Sequence, residues 1–174
     1  RTLPRARRGR EGPELQWSAA MSSCWLMKSE PGAYSLDDLE RDGTTCWDGV
    51  RNYQARNLMR EMEEGDPVLF YHSNANPPAV VGIARVCREA YPDHTSWDPT
   101  GRYFDPKSSP EEPRWWMVDI AFVERLPRPV PLAELKAEPA LEGMLVTGKS
   151  RLSVQPVDRR HFDRVVEIAR GSAS

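Results

Sequence analysis

No part of this 174-residue chain approaches the ~20 consecutive apolar residues that a membrane-crossing helix needs, so a helical membrane span is excluded. Cysteine is scarce: Cys24, Cys46 and Cys87 are an odd number, with no pair at metal-ligand spacing. That usage fits free, buried thiols in a reducing compartment. His72, His94 and His161 are scattered, and neither HExxH nor CxxC occurs. No metal site and no cofactor is therefore expected. An excess of positive charge is missing as well: 24 Lys and Arg face 26 Asp and Glu, a formal net charge of −2. A bulk polyanion binder is normally basic. If this chain binds nucleic acid, it does so through a local basic site, with marked salt sensitivity. Internal repeats are absent too.

The length suits one domain with a core large enough to need no staples. Residues 1–20 carry five Arg, two Glu and almost no apolar periodicity. They read as a disordered or non-native extension translated from upstream of the true start, with a basic nucleic-acid-binding arm as the alternative. Arg7-Arg8 lacks the apolar stretch of an export signal. Without these twenty residues the chain has 19 basic and 24 acidic side chains, net −5. The domain itself is expected over residues 22–171.

Cys24 to Met27 reads as a strand stopped at Pro31. Ser35 and Asp38 form a capping box for a short helix ending near Asp42-Gly43. Ala55, Leu58, Met59 and Met62 recur at helical spacing until Gly65 and Asp66-Pro67. Val68 to His72, Val80 to Val86 and Trp116 to Val123 have strand composition, and Gly82 marks a bulge or a close approach. Tyr91 to Pro113 reads as a long loop, a length often tied to function. Pro127, Pro129 and Pro131 should break the chain before a short helix at 132–137. Leu145-Val146 and Leu152 to Val154 read as extended pieces. A final helix starts at Asp158, with Val157 and Phe162 as its hydrophobic staple. Helices and strands mix without β-α-β alternation, so the class is α+β.

The tightest cluster of chemistry lies at 47–57, where Trp47 is followed by Asp48, Gly49, Val50, Arg51, Asn52, Tyr53, Gln54, Ala55, Arg56 and Asn57. An aromatic beside an acid, a glycine, two Arg and several amides is equipment for a planar hydrogen-bonding ligand next to an anion. Nucleic-acid bases are such ligands. Trp25 and Trp116 fit the core, and one of Trp115 and Trp116 must face away from it. His72 at a strand end is more often a hydrogen-bond partner of backbone than a catalyst. Gly143 to Ser150 matches GxxxxGKS literally, but its interior Met144-Leu145-Val146 is apolar and no helix pattern follows, so a nucleoside-triphosphate loop is rejected. Lys149 and Arg151 remain as a basic edge suited to phosphate.

Several uncommon strings occur in order: Trp-Leu-Met-Lys-Ser-Glu-Pro at 25–31, Trp-Asp-Gly-Val-Arg-Asn-Tyr-Gln-Ala-Arg-Asn at 47–57 and Phe-Tyr-His-Ser-Asn at 70–74. Glu-Ala-Tyr-Pro-Asp at 89–93, Tyr-Phe-Asp-Pro-Lys-Ser at 103–108 and Arg-Leu-Ser-Val-Gln-Pro at 151–156 follow. From Cys24 to Ile168 the chain resembles the EVE-domain family of the PUA-like group. The resemblance implies a mixed β pseudo-barrel flanked by helices. It also implies a non-catalytic module that reads a modified base in DNA or RNA, above all 5-methyl- or 5-hydroxymethylcytosine, flipped into an aromatic pocket. Lys28 and Ser29 match the Lys-Ser at the end of the first strand, Trp47 the cage tryptophan and Asn52 a nearby polar contact. Tyr71, His72 and Ser73 would line the opposite side, and Arg151 and Ser153 the entrance. Glu30, Asp48, Gly49, Val50, Arg51, Trp115 and Lys149 complete the candidate set. For the second cage aromatic, Trp115, Trp97 and Tyr71 stay open. The short link from Pro31 to Tyr34 resembles bacterial members. A bacterial protein would be cytoplasmic, with nucleoid association, and a eukaryotic one nuclear. Two rival readings remain: an enzyme acting on a base or nucleotide through His72, Asp48 or Glu30, and a small-molecule or protein interaction module using the same pocket.

Overall fold

The computed structural model describes residues 23–171. The expected extension over residues 1–20 lies outside the described residues. Strand β1 (Cys24–Ser29) is followed by α1 (Leu36–Asp42), β2 (Thr44–Cys46), α2 (Tyr53–Glu61), β3 (Pro67–His72) and β4 (Ala79–Pro92). Then come β5 (Trp116–Pro131), α3 (Leu132–Ala137), β6 (Val154–Val157) and α4 (Arg159–Arg170). One six-stranded sheet runs β2-β5-β4-β3-β1-β6. β1 pairs with β3 in parallel, and the other pairings are antiparallel. The α+β class expected from the sequence is the one found. No helix among the described residues is long and apolar enough to cross a membrane.

Both faces of the sheet are covered, which is why β1 and β3 are apolar without alternation. Trp25 and Met27 point to a core shared with Leu36 and Leu39 of α1 and Ala55 and Met59 of α2. Cys24 and Leu26 point to the other core, with Leu135 of α3 and Phe162, Val165 and Val166 of α4. The capping box on α1 forms: Ser35 Oγ accepts from Asp38 N at 3.2 Å and Asp38 Oδ2 from Ser35 N at 2.9 Å. Asp158 is the N-cap residue of α4 but makes no side-chain cap, so the staple of Val157 and Phe162, both in the same core, fixes that end.

Gly82 is both a bulge and a close approach. The β4–β5 register shifts there, and a Cβ would stand 2.6 Å from Leu36 Cδ2. That contact lets α1 lie flat on the sheet beside the pocket described below.

Four expectations need correction. β5 does not stop at Val123; it runs through Pro127 and Pro129 to Pro131. Gly82 pairs with Arg125 and Val80 with Val130, so residues 126–129 oppose Val81 alone. Pro127 and Pro129 sit in that excursion, where no ladder donor is required. Leu145–Thr147 is a 3-10 turn rather than an extended piece. The loop expected from Tyr91 to Pro113 begins only after Pro92 and holds a 3-10 turn at His94–Trp97. The edge strand β2 went unread because three residues, Thr-Thr-Cys, carry too short a pattern. In the Trp pair it is Trp115 that is buried. Trp116, expected in the core, is half-buried under the Arg60 guanidinium, 4.6 Å from its ring.

Candidate functional site

The segment from Trp47 to Asn52 joins β2 to α2 across one end of the sheet. Trp47 N donates to Val118 O at 2.7 Å, extending the edge pairing by one residue. Asn52 ends the segment as the N-cap of α2, its Oδ1 accepting from Ala55 N at 2.9 Å. That bond engages the amide oxygen, and the NH2 has no hydrogen bond among the described residues. Between these anchors the chain turns at Gly49, φ 78°.

A buried carboxylate holds the turn in place. Asp93, just beyond β4, has a fully buried side chain. Its Oδ2 accepts from Gly49 N and from Arg51 Nη1, both at 2.9 Å, and its Oδ1 from Thr95 N at 2.9 Å. Burial alone would push this carboxyl up. The bonds from Thr95, Arg51 and Gly49 outweigh it and hold the group below the ordinary carboxylate range. Arg51 spends every N–H it has: Nε and Nη2 on Tyr103 O at 3.1 and 2.8 Å, Nη1 on Val50 O at 3.0 Å and on Asp93, and Nη2 also on Thr95 Oγ1 at 3.3 Å. Expected among the base- and nucleic-acid-binding residues, Arg51 lines the cavity with its donors committed as the rivet that fastens the 93–103 loop to the 47–52 segment.

The loop so fastened closes a cavity of about 550 Å³. Its walls are Lys28, Ser29 and Glu30 at the end of β1, Ala33 and Tyr34 after it, Thr45 and Cys46 of β2, the segment Trp47 to Asn52, Arg102 and Tyr103 of the loop, and Ser153 before β6. Lys28 N donates to Ser153 O at 2.8 Å, which brings the two chain ends together. Trp47 is only 9% exposed and meets Phe70 edge-on at 5.8 Å, so most of the indole is core and the remainder is wall. Ser29 Oγ donates to Tyr34 O, leaving its oxygen to accept.

The polar groups on these walls are tuned by crowding. Desolvation lowers the pKa of Lys28, which has no ion pair among the described residues. Asp48 opens onto the cavity, yet desolvation by its walls pushes its carboxyl up, and the charge of Asp93 adds to this. Desolvation likewise raises the Cys46 thiol, with Asp48 and Asp119 contributing. The cavity thus offers an ammonium, a carboxyl, an amide NH2 and hydroxyl acceptors between aromatic walls. Among the described residues no cluster of three or more His, Cys, Asp or Glu is placed to hold a metal ion.

Of the residues singled out from sequence, Lys28, Ser29, Glu30, Trp47, Asp48, Gly49, Val50, Arg51, Asn52 and Ser153 meet in this one cavity. The others do not. Tyr71 is buried in the α4-side core, 5.9 Å from Lys28 Nζ. His72 Nε2 accepts from Leu36 N at 3.1 Å, so it finishes the end of α1, and desolvation keeps its pKa low. Ser73 N donates to Ser29 O at 2.9 Å, a tie between strands. Tyr34, Arg102 and Tyr103 line the cavity in their place. Trp115 stands behind Arg51, 5.5 Å from its guanidinium, and stacks on Tyr53 at 4.9 Å. Lys149 is exposed outside the cavity, and Arg151 lines a smaller adjoining hollow with Asn52, Gln54 and Leu145. Trp97, in the 3-10 turn, is not a wall residue either. None of the three candidates lines the cavity; the aromatic side chains that join Trp47 on its walls are Tyr34 and Tyr103. Tyr103 and Asp93 both lie in the strings noted at 103–108 and 89–93, which was the available signal.

Gly49 is the tightest point of this wall. A Cβ there would fall 2.6 to 2.8 Å from three carbons of the Tyr103 ring. Gly43 has the same φ, 78°, but a Cβ added to it would meet nothing within 4 Å, so it serves as a control. Gly49→Ala is expected to lower the thermal midpoint beyond Gly43→Ala, which carries the backbone penalty of its φ 78°, ψ −46° conformation, about 1–3 kcal/mol, but no clash. Equal midpoints for the two variants would mean that Tyr103 does not press on the turn.

The EVE domain family model matches residues 23–168. Thymocyte nuclear protein 1 of Homo sapiens is 43% identical over 167 residues, covering 85% of this chain and 74% of that protein. A solved hypothetical protein from Leishmania major superposes with a TM-score of 0.84 at 47% identity, covering 88% of this chain and 98% of its own. The crystal structure of the human THYN1 protein in complex with 5-methylcytosine containing DNA superposes with a TM-score of 0.80 at 42% identity, covering 85% and 98%.

Proposed function

The chain belongs to the EVE-domain family, and from that premise we propose that it is a non-catalytic nucleic-acid-binding module that reads a modified cytosine. The base leaves its stack and enters the cavity between Trp47 and Tyr103. The observation that carries this reading is the cavity itself: about 550 Å³, aromatic on two sides, with unpaired polar groups of both signs. That size is ordinary for a small planar ligand. The relative solved with 5-methylcytosine DNA gives the substrate class.

In this reading each wall group has a chemical task. Trp47 and Tyr103 sandwich the ring. The Asp48 carboxylate accepts from the exocyclic amine of cytosine, where thymine would present a carbonyl that a carboxylate repels. Lys28 and the Asn52 amide NH2 donate to the base carbonyl and ring nitrogen. The methyl group fills a small niche, worth about 1–3 kcal/mol, so discrimination from plain cytosine is moderate. Of the three acid/base candidates for the enzymatic alternative, His72 has given its free nitrogen to Leu36 N, and only Asp48 and Glu30 line the cavity. The vertebrate relatives are named nuclear proteins; we extend that location to this chain for a eukaryotic source, and the cytoplasm and nucleoid for a bacterial one.

The test is a titration of Trp fluorescence with matched oligonucleotides carrying cytosine, 5-methylcytosine, 5-hydroxymethylcytosine, thymine or N6-methyladenine, at two salt concentrations. A response that depends on the cytosine modification and weakens with salt is expected. Equal affinity for all five, or tighter binding to a free nucleoside than to any oligonucleotide, would reject the reading.

A further inference from the structure

The large apolar side chains that remain exposed among the described residues are Tyr53, Phe104 and Leu145. Each is tied to the cavity by the chain or by an adjoining hollow. Tyr53 follows the cavity residue Asn52, Phe104 follows Tyr103, and Leu145 lines the hollow that shares Asn52. Exposed apolar surface gathered at one place marks an interaction surface.

Tyr53 and Phe104 differ in how they are held. Tyr53 is already engaged: it stacks on Trp115, lies 4.8 Å below the Arg56 guanidinium and accepts from Arg114. Phe104 is 43% exposed, and its ring has no aromatic or cationic partner among the described residues. Yet its backbone is not loose. On one side Tyr103 O is gripped by two Arg51 donors, and on the other Asp105 N donates to Ser96 O at 2.7 Å. Asp105 Oδ2 also accepts from Trp115 Nε1 at 2.7 Å. Phe104 is thus an apolar ring held outward by two fixed neighbours, directly beside the wall that would clasp a flipped base. The nearest cations on either side in sequence are Arg102, exposed and 5.2 Å from the Tyr103 ring, and the exposed Lys107.

We propose that Phe104 is a wedge that enters the base stack of a duplex and fills the space left by the flipped nucleotide. The proposal rests on the base-reading function of the cavity. Extruding a base from a duplex leaves its neighbours without a stacking partner, and apolar side chains inserted between base steps are a general remedy. The required shape is what this loop supplies: an unpartnered ring, rigid at its base, with a cation on either side in sequence, one residue from the pocket. The occupant is therefore the stacked duplex around the flipped position. A single strand needs no wedge, since its base is already free to leave.

The experiment is a fluorescence titration of wild type, F104A and F104W against a 5-methylcytosine duplex and against the same modified strand alone. F104A should lose about tenfold in affinity for the duplex, a typical value for one lost stacking contact, and stay close to wild type on the single strand. F104W should retain duplex binding. A 2-aminopurine beside the modified cytosine should be quenched less by F104A than by wild type. If wild type prefers the modified strand and F104A binds the duplex as tightly as wild type, the wedge is wrong and the base reading stands. If F104A weakens both forms equally, Phe104 supports the pocket and the wedge is again wrong. If wild type shows no preference for the modified strand in either form, the base reading fails and takes the wedge with it.

Discussion

Asp93→Asn is expected to be among the most damaging single changes in this protein, although Asp93 does not itself line the cavity. Its carboxylate is fully buried and receives bonds from Gly49, Arg51 and Thr95. Asparagine offers one acceptor oxygen where two were used, and turns an NH2 toward donors. Arg51 then keeps its charge in a crowded site without a counterion. Breaking a buried pair in this way costs about 3–5 kcal/mol. Arg51 retains the Tyr103 carbonyl and is 22% exposed, so the lower end is expected. The loop bearing Tyr103 should loosen with it, and base binding should fall in parallel. The pH dependence identifies the cause. The folded pKa of Asp93 lies below its unfolded value. Its stabilisation is therefore complete above the ordinary carboxylate pKa of about 3.9 and fades as pH falls through the lower folded value. The stability gap between wild type and Asp93→Asn should be full at neutral pH and close in strong acid. Urea unfolding at a series of pH values measures it. A gap that stays constant into strong acid would show that shape, not charge, sets the cost.

Trp47→Ala is expected to act twice. From sequence alone the indole reads as a stacking platform whose removal leaves the fold intact. The structure corrects this: Trp47 is 9% exposed, sits in the core with Phe70, Val50 and Ala55, and its loss opens a large hole. A buried Trp→Ala change costs about 3–5 kcal/mol. The stacking contribution, about 1–3 kcal/mol per base, corresponds to a roughly 5- to 150-fold loss in affinity for the modified strand. To keep these apart, affinity should be measured at a temperature where the variant is fully folded, alongside its unfolding midpoint. Trp47→Phe should recover much of the stability and only part of the binding. Wild-type affinity in folded Trp47→Ala would remove the indole from the site.

How far the fold could be read depended on the length of each pattern. α1 was fixed by Ser35 and Asp38, which lie three residues apart and bond each other's backbone. α2 was fixed by Ala55 and Met59 at helical spacing. The long reach of β5 was hidden, because Pro127 and Pro129 look like breaks unless the partner strand is known to leave them unpaired. The 3-10 turn at Leu145–Thr147 was read as extended because three apolar residues carry no period.

In the site, the same division holds for a physical reason. Residues close in sequence with strong chemical character, from Trp47 to Asn52 and from Lys28 to Glu30, announced themselves, because local composition needs no fold to be seen. Local composition and pattern therefore carried the class of fold, the chemistry of one wall and the family. Which aromatics join Trp47 on the cavity walls was a matter of tertiary structure. Tyr103 is 54 residues beyond Gly49 and reaches it only because Asp93 and Arg51 pin the intervening loop across the turn. The same pinning committed the donors of Arg51, expected among the binding residues, to the loop. It also left Phe104, one residue further on, facing outward. A guanidinium with five donors takes whatever acceptors the folded chain presents, and no sequence pattern lists them in advance.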